Sequence, residues 1–307
     1  MLNKEKTRIG VLMGGLSSEW KISLKSGEAV TKALIDRGWN AMAIDVNSQL
    51  PATLIEEKID IAWIALHGIY GEDGCIQGLL EVMGIPYTGS SVQACAISMD
   101  KHATKAALKD TDVLLIPDRI IQHGELPEDH WYPCVLKDPL GGSSIGVWIC
   151  HSETELKQAY TETQTQTFLL ERYIDGEEIT VAVFNGKSYP VVSIRPKEGF
   201  FDLEAKYTKG KTDYIVPSPL PDHICHTAQH QARVSYQKIN MSGIARADFL
   251  VTKEQEVYFL EINASPGMTA TSLSPMAAQA AGVSFEELVE NILLQAQCSR
   301  TPDREKS

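Results

Sequence analysis

The sequence predicts an α/β protein in which a first unit built on a parallel sheet is followed by two α+β units rich in antiparallel strands. Three observations carry that reading. From residue 8 to residue 84, short apolar runs alternate with helical patterns, the layout of strands joined by right-handed crossovers. Beyond residue 86 the apolar runs crowd together, and the Asn185-Gly186 pair between two of them is a strong two-residue hairpin signal. The chain has 307 residues, enough for two or three packed units.

In the first unit, "RIGVLM" (8–13) reads as a buried strand before a Gly-Gly turn, and "SLKSGEAVTKALIDRG" (23–38) as a helix stopped at Gly38. Strands follow at 40–46 and 59–66, with helical matter near 52–58 and a helix at 75–84. The outline is Rossmann-like, yet "GGLSSE" lacks the G-x-G-x-x-G spacing of a dinucleotide site. Next come a helix through "SMDKHATKAALKD" (98–110) and strands at 113–121, 132–138, 146–150 and 168–174, with a helix at 152–163. The hairpin around Asn185, a polar loop at 198–214 and a helix near 222–240 lead to strands at 245–251 and 256–263, and a helix at 284–297 closes the fold. Unit boundaries are expected at 1–95, 96–184 and 185–307.

Composition narrows the function class. Apolar residues make up 43% and charged residues 22%, the balance of a soluble globular protein, and no apolar run has the length of a membrane span. The charged start "MLNKEKTRIGVLMGG" lacks a signal-peptide layout, which predicts a cytoplasmic enzyme. A net charge of −12 argues against a protein that coats nucleic acid or an anionic membrane. Six cysteines without a Cys-x-x-Cys pair predict reduced, mostly buried thiols. His223, His226 and His230 share a helix face, but no acid or cysteine at ligand spacing completes a metal site, so a solvated face is expected there.

Four stretches carry chemistry. Alternation puts Arg246 and Asp248 on one face of "ARADFLV", and Glu261 and Asn263 on one face of "EVYFLEIN". If these strands pair as a hairpin, three oxygen donors and an arginine converge, a set suited to Mg²⁺. In "LKDPLGGSSIGV", Lys137 ends a strand, and a loop of Gly141, Gly142, Ser143 and Ser144 offers backbone N–H groups to phosphate oxygens. "LLERYIDGEE" places Glu171 at a strand end that could continue as a linker along an adenine edge, with Glu178 seven residues on. His67, in "ALHGIYGEDG", follows a parallel strand at the edge where α/β sheets bind ligands. Glu19 lies on the same edge, as a substrate anchor or as the cap of the first helix.

Together, "GGLSSEWKIS", "HGIYGEDG", "GIPYTGS", "MDK", "GGSSIG", "LEAKY", "ARADF" and "EINASPGMTATSLSP" resemble, in this order, the D-alanine–D-alanine ligases of the ATP-grasp superfamily. The likeness runs from about residue 7 to 296. It implies an ATP-grasp fold for the second and third units, with ATP between them. Lys101 and Lys137 would contact phosphates under the loop of Ser143 and Ser144. Glu171, Arg172, Tyr173 and Ile174 would hold adenine, Glu178 the ribose, and Lys206 would reach toward the phosphates. Asp248, Glu261 and Asn263 would hold two Mg²⁺ or Mn²⁺ ions. Glu19 would anchor the ammonium group of the first D-alanine near His67, and Ser272 and Leu273 would receive the carboxylate of the second. Arg246 and the N–H of Gly267, at a tight turn, would stabilise the oxyanion, and Tyr207 would close over the site with Ser143 and Glu19. Because "EAKYTKG" keeps the Lys-Tyr pair that D-lactate-using relatives lack, the dipeptide product is expected. The resemblance also implies a homodimer in peptidoglycan precursor synthesis. Trp20, Lys21 and Asp138 depart from the family pattern. The alternatives are a D-alanine–D-lactate or D-alanine–D-serine ligase, another ATP-grasp carboxylate–amine ligase, and a nucleotide-binding module without turnover.

Overall fold

The computed structural model describes residues 2–127, 131–142, 146–197 and 212–299. The first unit is a three-stranded parallel sheet with β1 (Arg8–Met13) between β2 (Asn40–Asp45) and β3 (Ile61–Ile64). Ile9, Val11 and Leu12 are fully buried, as expected of a strand covered on both faces. Helix α1 (Trp20–Asp36) crosses from β1 to β2, and α2 (Leu50–Glu56) from β2 to β3. α1 starts three residues earlier than its apolar spacing suggests. The carbonyl of Glu19 already accepts from Ile22 and Ser23, so the turn after the Gly-Gly pair winds straight into the helix.

α3 (Cys75–Met83) stops at Gly84, which takes the left-handed conformation. The expected single helix over 98–110 is two, α4 (Val92–Met99) and α5 (Lys101–Leu108). Asp100 is extended between them, and its carboxylate caps α5 by accepting from the N–H groups of His102 and Ala103 at 2.8 and 3.0 Å. The expected strand 113–121 is likewise shorter. Pro117 has no N–H to give a ladder, and β4 (Asp118–Gln122) begins just after it.

The second sheet is antiparallel, in the order β4, β7 (Thr167–Arg172), β5 (Cys134–Lys137) and β6 (Val147–Cys150), backed by α6 (Glu153–Thr161). The third is built around β8 (Glu177–Phe184), in the order β11 (Thr212–Ile215), β10 (Val192–Pro196), β8, β12 (Ile244–Val251), β13 (Val257–Asn263). The boundary expected at 184/185 would leave β8 with the second unit, whereas its ladder partners β10 and β12 place it wholly in the third sheet. Asn185 and Gly186 both take positive φ, as the predicted hairpin turn requires, and β9 (Lys187–Ser188) pairs back onto β8. α7 (Asp222–Lys238) covers this sheet with Ile224, Ala228, Ala232 and Tyr236, a stripe at helical spacing. Helix α8 (Leu273–Ala280), which the sequence pattern did not reveal, precedes α9 (Phe285–Leu293).

The two ends of the chain share one core. Leu288, Val289, Ile292 and Leu293 of α9 pack with Ile9, Val11, Val30, Leu34, Trp39 and Trp63 of the first unit. At its rim, buried Glu290 accepts from Lys4 Nζ and Arg37 Nε, both at 2.5 Å, and from Trp39 Nε1 at 2.8 Å. Burial raises the Glu290 pKa, but the bonds from Lys4, Arg37 and Trp39 outweigh it and bring it down to about 2 from 4.5. A carboxylate with a depressed folded pKa stabilises the fold above its ordinary pKa, and that stability is lost as pH falls from about 4.5 to about 2. Because Lys4 and Arg37 are partly exposed, the contribution is discounted to roughly 1–3 kcal/mol. Glu290→Gln should therefore lower the urea midpoint at pH 7 and flatten its fall on acidification. Parallel pH dependences in the two proteins would refute the assignment.

Candidate active site

The site is built on the β12–β13 hairpin. Arg246 lies opposite Asn263 and Asp248 opposite Glu261, so the expected pairing holds and all four residues meet. Strict alternation would put Glu261 on the same face as Phe259, two residues earlier. Phe259 is nevertheless fully buried, 5.7 Å from the Phe249 ring. A bulge between Asp248 and Phe249 resolves the conflict: Asp248 pairs with Glu261 and Phe249 with Phe259, which leaves Leu260 as the extra residue.

Asp248 is the hub. Its two oxygens accept from Arg246 Nε and Nη2, both at 2.9 Å. Oδ2 also accepts from Asn263 Nδ2 at 3.1 Å, and Thr180 Oγ1 donates to Oδ1. Glu261 lies 3.2 Å from Lys101 Nζ. Two carboxylates and a carboxamide on one surface form an oxygen-only donor set, which fits a hard divalent cation such as Mg²⁺ or Mn²⁺. No group of three or more His, Cys, Asp and Glu at metal-holding distance occurs among the described residues. In particular, His223 bonds Gln255 at 2.8 Å and His230 bonds Asp112 at 2.6 Å, consistent with a solvated helix face.

A cleft opens between the second and third sheets. Val135, Val147, Ile149, Leu250 and Leu260 supply apolar walls, and Glu171 to Ile174 run along one edge. Glu178, Lys101, Lys137, Asp248 and Glu261 supply its charge. A flat aromatic ring flanked by polyphosphate suits this division of apolar walls and charged floor. Asp100 aims Lys101 by capping α5, and the Lys101 Nζ also reaches the carbonyl of Gly141 at 2.5 Å. Asp138, a departure from the family pattern, organises the loop beside Lys137. Its carboxylate accepts from Leu140 N at 2.9 Å and Thr165 Oγ1 at 3.1 Å. Ser143, Ser144, Lys206 and Tyr207 lie outside the described residues.

The first unit contributes the loops after β1 and β3. His67 is buried. Its Nε2 lies 3.0 Å from Ser26 Oγ, its Nδ1 lies 3.0 Å from the carbonyl of Ser265 in the stretch after β13, and Glu72 is 3.5 Å from Nδ1. Burial raises the Glu72 pKa, only partly offset by His67. Glu19 occupies the N-cap position of α1, yet its side chain makes no capping bond. A Cβ on Gly68 would stand 2.7 Å from Glu19 Oε2, and one on Gly142 3.7 Å, so Glu19 lies where the His67 loop meets the glycine loop. Trp20 and Lys21 open α1 as a surface pair, the ammonium 5.4 Å from the indole ring.

One expectation changes. Gly267 was expected at a tight turn, but the chain bends at Ala264 and Ser265 and runs on without a turn through Pro266 to Met268. A Cβ at 267 would stand 3.1 Å from Ser272 Oγ, a close approach to the tip of a side chain. Ser272 holds the N-cap position of α8 without capping it; its hydroxyl bonds Thr269 Oγ1 at 2.8 Å, and Leu273 begins the helix. Lys105, Glu72 and Thr180 join the site without having been foreseen. Lys105 could have been found, since it falls one turn after Lys101 on the same helix face, and Glu72 stands in "GEDG" beside His67.

Two family models match this chain: "D-ala D-ala ligase N-terminus" over residues 49–90 and "D-ala D-ala ligase C-terminus" over residues 105–294. A D-alanine–D-alanine ligase of Geobacter sulfurreducens is 44% identical over 298 residues, covering 95% of this chain and 94% of that protein. One from Aquifex aeolicus is 42% identical over 293 residues, covering 93% and 99%. The crystal structure of a D-alanine–D-alanine ligase from Bacillus anthracis complexed with ATP superimposes with a TM-score of 0.83 at 33% identity, covering 94% of this chain and 97% of that one. The placement of Glu19 generates a prediction. Gly68→Ala, at a φ of +69° and against the Glu19 carboxylate, should cost about 1–3 kcal/mol of stability in a denaturant titration. An unchanged midpoint would refute both the left-handed backbone constraint at Gly68 and its close approach to Glu19.

Proposed function

We infer the function from one premise: the chain belongs to the D-alanine–D-alanine ligase family. It is an ATP-dependent ligase that joins two D-alanines into D-alanyl-D-alanine, releasing ADP and phosphate. The observation that carries the reading is the convergence of Asp248, Glu261, Asn263, Arg246 and Lys101 beside a cleft with apolar walls and charged groups.

The chemistry follows from what these groups can do. An alanine carboxylate is a poor electrophile, so it first takes the γ-phosphoryl group of ATP to become an acyl phosphate. The amine of the second D-alanine then attacks the acyl carbon, and phosphate leaves. Most of the catalysis is alignment and charge neutralisation. Lys101 and Lys137 bind the phosphates, Ser143, Ser144 and Lys206 assist them, Glu171 to Ile174 line adenine, and Glu178 takes the ribose. Asp248, Glu261 and Asn263 would hold two Mg²⁺ or Mn²⁺ ions, which would supply charge compensation to the transferring phosphoryl group. Glu19 pairs with the first substrate's ammonium group, with His67 beside it. Arg246 and the Gly267 N–H face the oxyanion. Ser272, Leu273 and the N-terminus of α8 offer hydrogen-bond donors to the second substrate's carboxylate. Tyr207 acts with Ser143 and Glu19 in closing the site and favours an amine over D-lactate. In the cell we place the enzyme in the cytoplasm, as a homodimer supplying peptidoglycan precursors. No helix among the described residues is long and apolar enough to cross a membrane.

Two measurements test this reading. ADP release should depend on D-alanine and yield the dipeptide, with D-lactate failing as second substrate at neutral pH; ATP turnover indifferent to D-alanine would overturn it. Asn263→Leu removes one of the three oxygen donors and should abolish ligation while the circular dichroism and melting curve stay near those of the unaltered protein. Near-normal ligation by that variant would sink the metal assignment.

A further inference from the structure

Glu171 is 1% exposed, and a lysine closes on each of its oxygens: Lys105 Nζ on Oε1, and Lys137 Nζ on Oε2 at 2.5 Å. The two lysines differ in everything else they touch. Lys137 ends β5 and faces the cleft. Lys105 is 4% exposed, stands behind the cleft wall, donates to the carbonyl of Ile116 at 3.0 Å, and lies 3.5 Å from Asp118 Oδ1. Lys105 is thus a fixed counter-ion of Glu171 and Lys137 an exchangeable one.

A phosphate arriving in the cleft can engage Lys137 only by drawing it away from Glu171. A buried carboxylate stripped of its last cation either carries a large desolvation cost or takes up a proton. Burial pushes the Glu171 pKa up, and Lys137 and Lys105 together more than reverse this, so the carboxyl is held below its ordinary range. The remaining charged groups nearby are engaged elsewhere. Across the cleft, Lys101 pairs with Glu261 and Asp248 with Arg246, and Glu178 lines another part of its wall. Asp118 faces Lys105, with His102 3.9 Å beyond it, and Arg172 is exposed at the strand end along the cleft edge.

We propose that Lys105 is a positioning residue for nucleotide binding: by staying on Glu171, it keeps that carboxylate ionised and in place while Lys137 transfers to phosphate. The proposal rests on the reading of this cleft as the ATP site. It also gives Lys105 a role separate from that of Lys101, one turn earlier on the same helix, which reaches into the cleft itself.

The test is calorimetric titration of the full-length protein with Mg²⁺ and ADP, between about pH 6 and pH 8, in buffers of different ionisation enthalpy. The unaltered protein should bind ADP near pH 7 with no net proton uptake. In Lys105→Met, Glu171 should take up close to one proton per ADP bound, with affinity at least tenfold weaker near pH 8 and recovering toward pH 6. Lys105→Arg, which keeps the charge, should behave like the unaltered protein, and Lys105→Met with Glu171→Gln should lose the proton uptake. Lys105→Gln, which keeps a donor for Ile116 and loses the charge, gives the same readout if the methionine variant does not fold. ADP binding by Lys105→Met or Lys105→Gln with full affinity and no proton uptake would overturn the role of Lys105 alone. Failure of the unaltered protein to bind ADP would overturn the cleft assignment and this proposal with it.

Discussion

The register of one hairpin governs this protein. Strands β12 and β13 must do two incompatible things with a side-chain period of two: bury Phe249 against Phe259, and bring Asp248 opposite Glu261 on the functional face. The bulge that absorbs Leu260 lets both happen within a few residues. Everything downstream inherits that phase. Asn263 arrives beside Asp248, Ser265 reaches back to His67, and Met268 is delivered into the core shared with the first unit. A one-residue slip would empty the core and scatter the site in a single step.

The cleft shows why overall charge and local charge must be read separately. The chain carries a net −12, yet Lys101, Lys105, Lys137 and Arg246 gather at one place. Each has a carboxylate partner drawn from the same site: Glu261, Glu171 or Asp248. The protein therefore holds its basic groups in the fold by internal pairing, and ligand binding becomes an exchange of partners rather than simple attraction to a bare positive patch. Such an exchange favours ligands that carry both signs of charge, as a nucleotide with a divalent ion does.

Much of this was legible in the residues. The parallel first sheet, the Asn185-Gly186 hairpin and the convergence of Arg246, Asp248, Glu261 and Asn263 follow from period and turn chemistry, and the ordered motifs supplied the roles. What failed did so for identifiable reasons. The helix break at Asp100 was hidden because Asp is tolerated inside a helical pattern and reveals itself as a cap only through backbone geometry. The bulge leaves no trace in composition; the alternation looks unbroken through Leu260. The spacing of Lys105 to Lys101 puts it on the same helix face, but only tertiary packing shows that its ammonium group ends beside Glu171. The tight turn expected at Gly267 is absent, because the bend falls earlier, at Ala264 and Ser265.

The shared core of α9 and the first sheet has a consequence for synthesis on the ribosome. Ile9, Val11 and Trp63 are covered in part by Leu288, Val289 and Ile292, residues made some 280 positions later than the first of them. The N-terminal unit therefore leaves the exit tunnel with an apolar flank that its own helices cannot close. It must wait for nearly the whole chain before that flank is covered, which makes the nascent unit a natural client for holding chaperones. The core of the first unit is completed by the last helix of the chain.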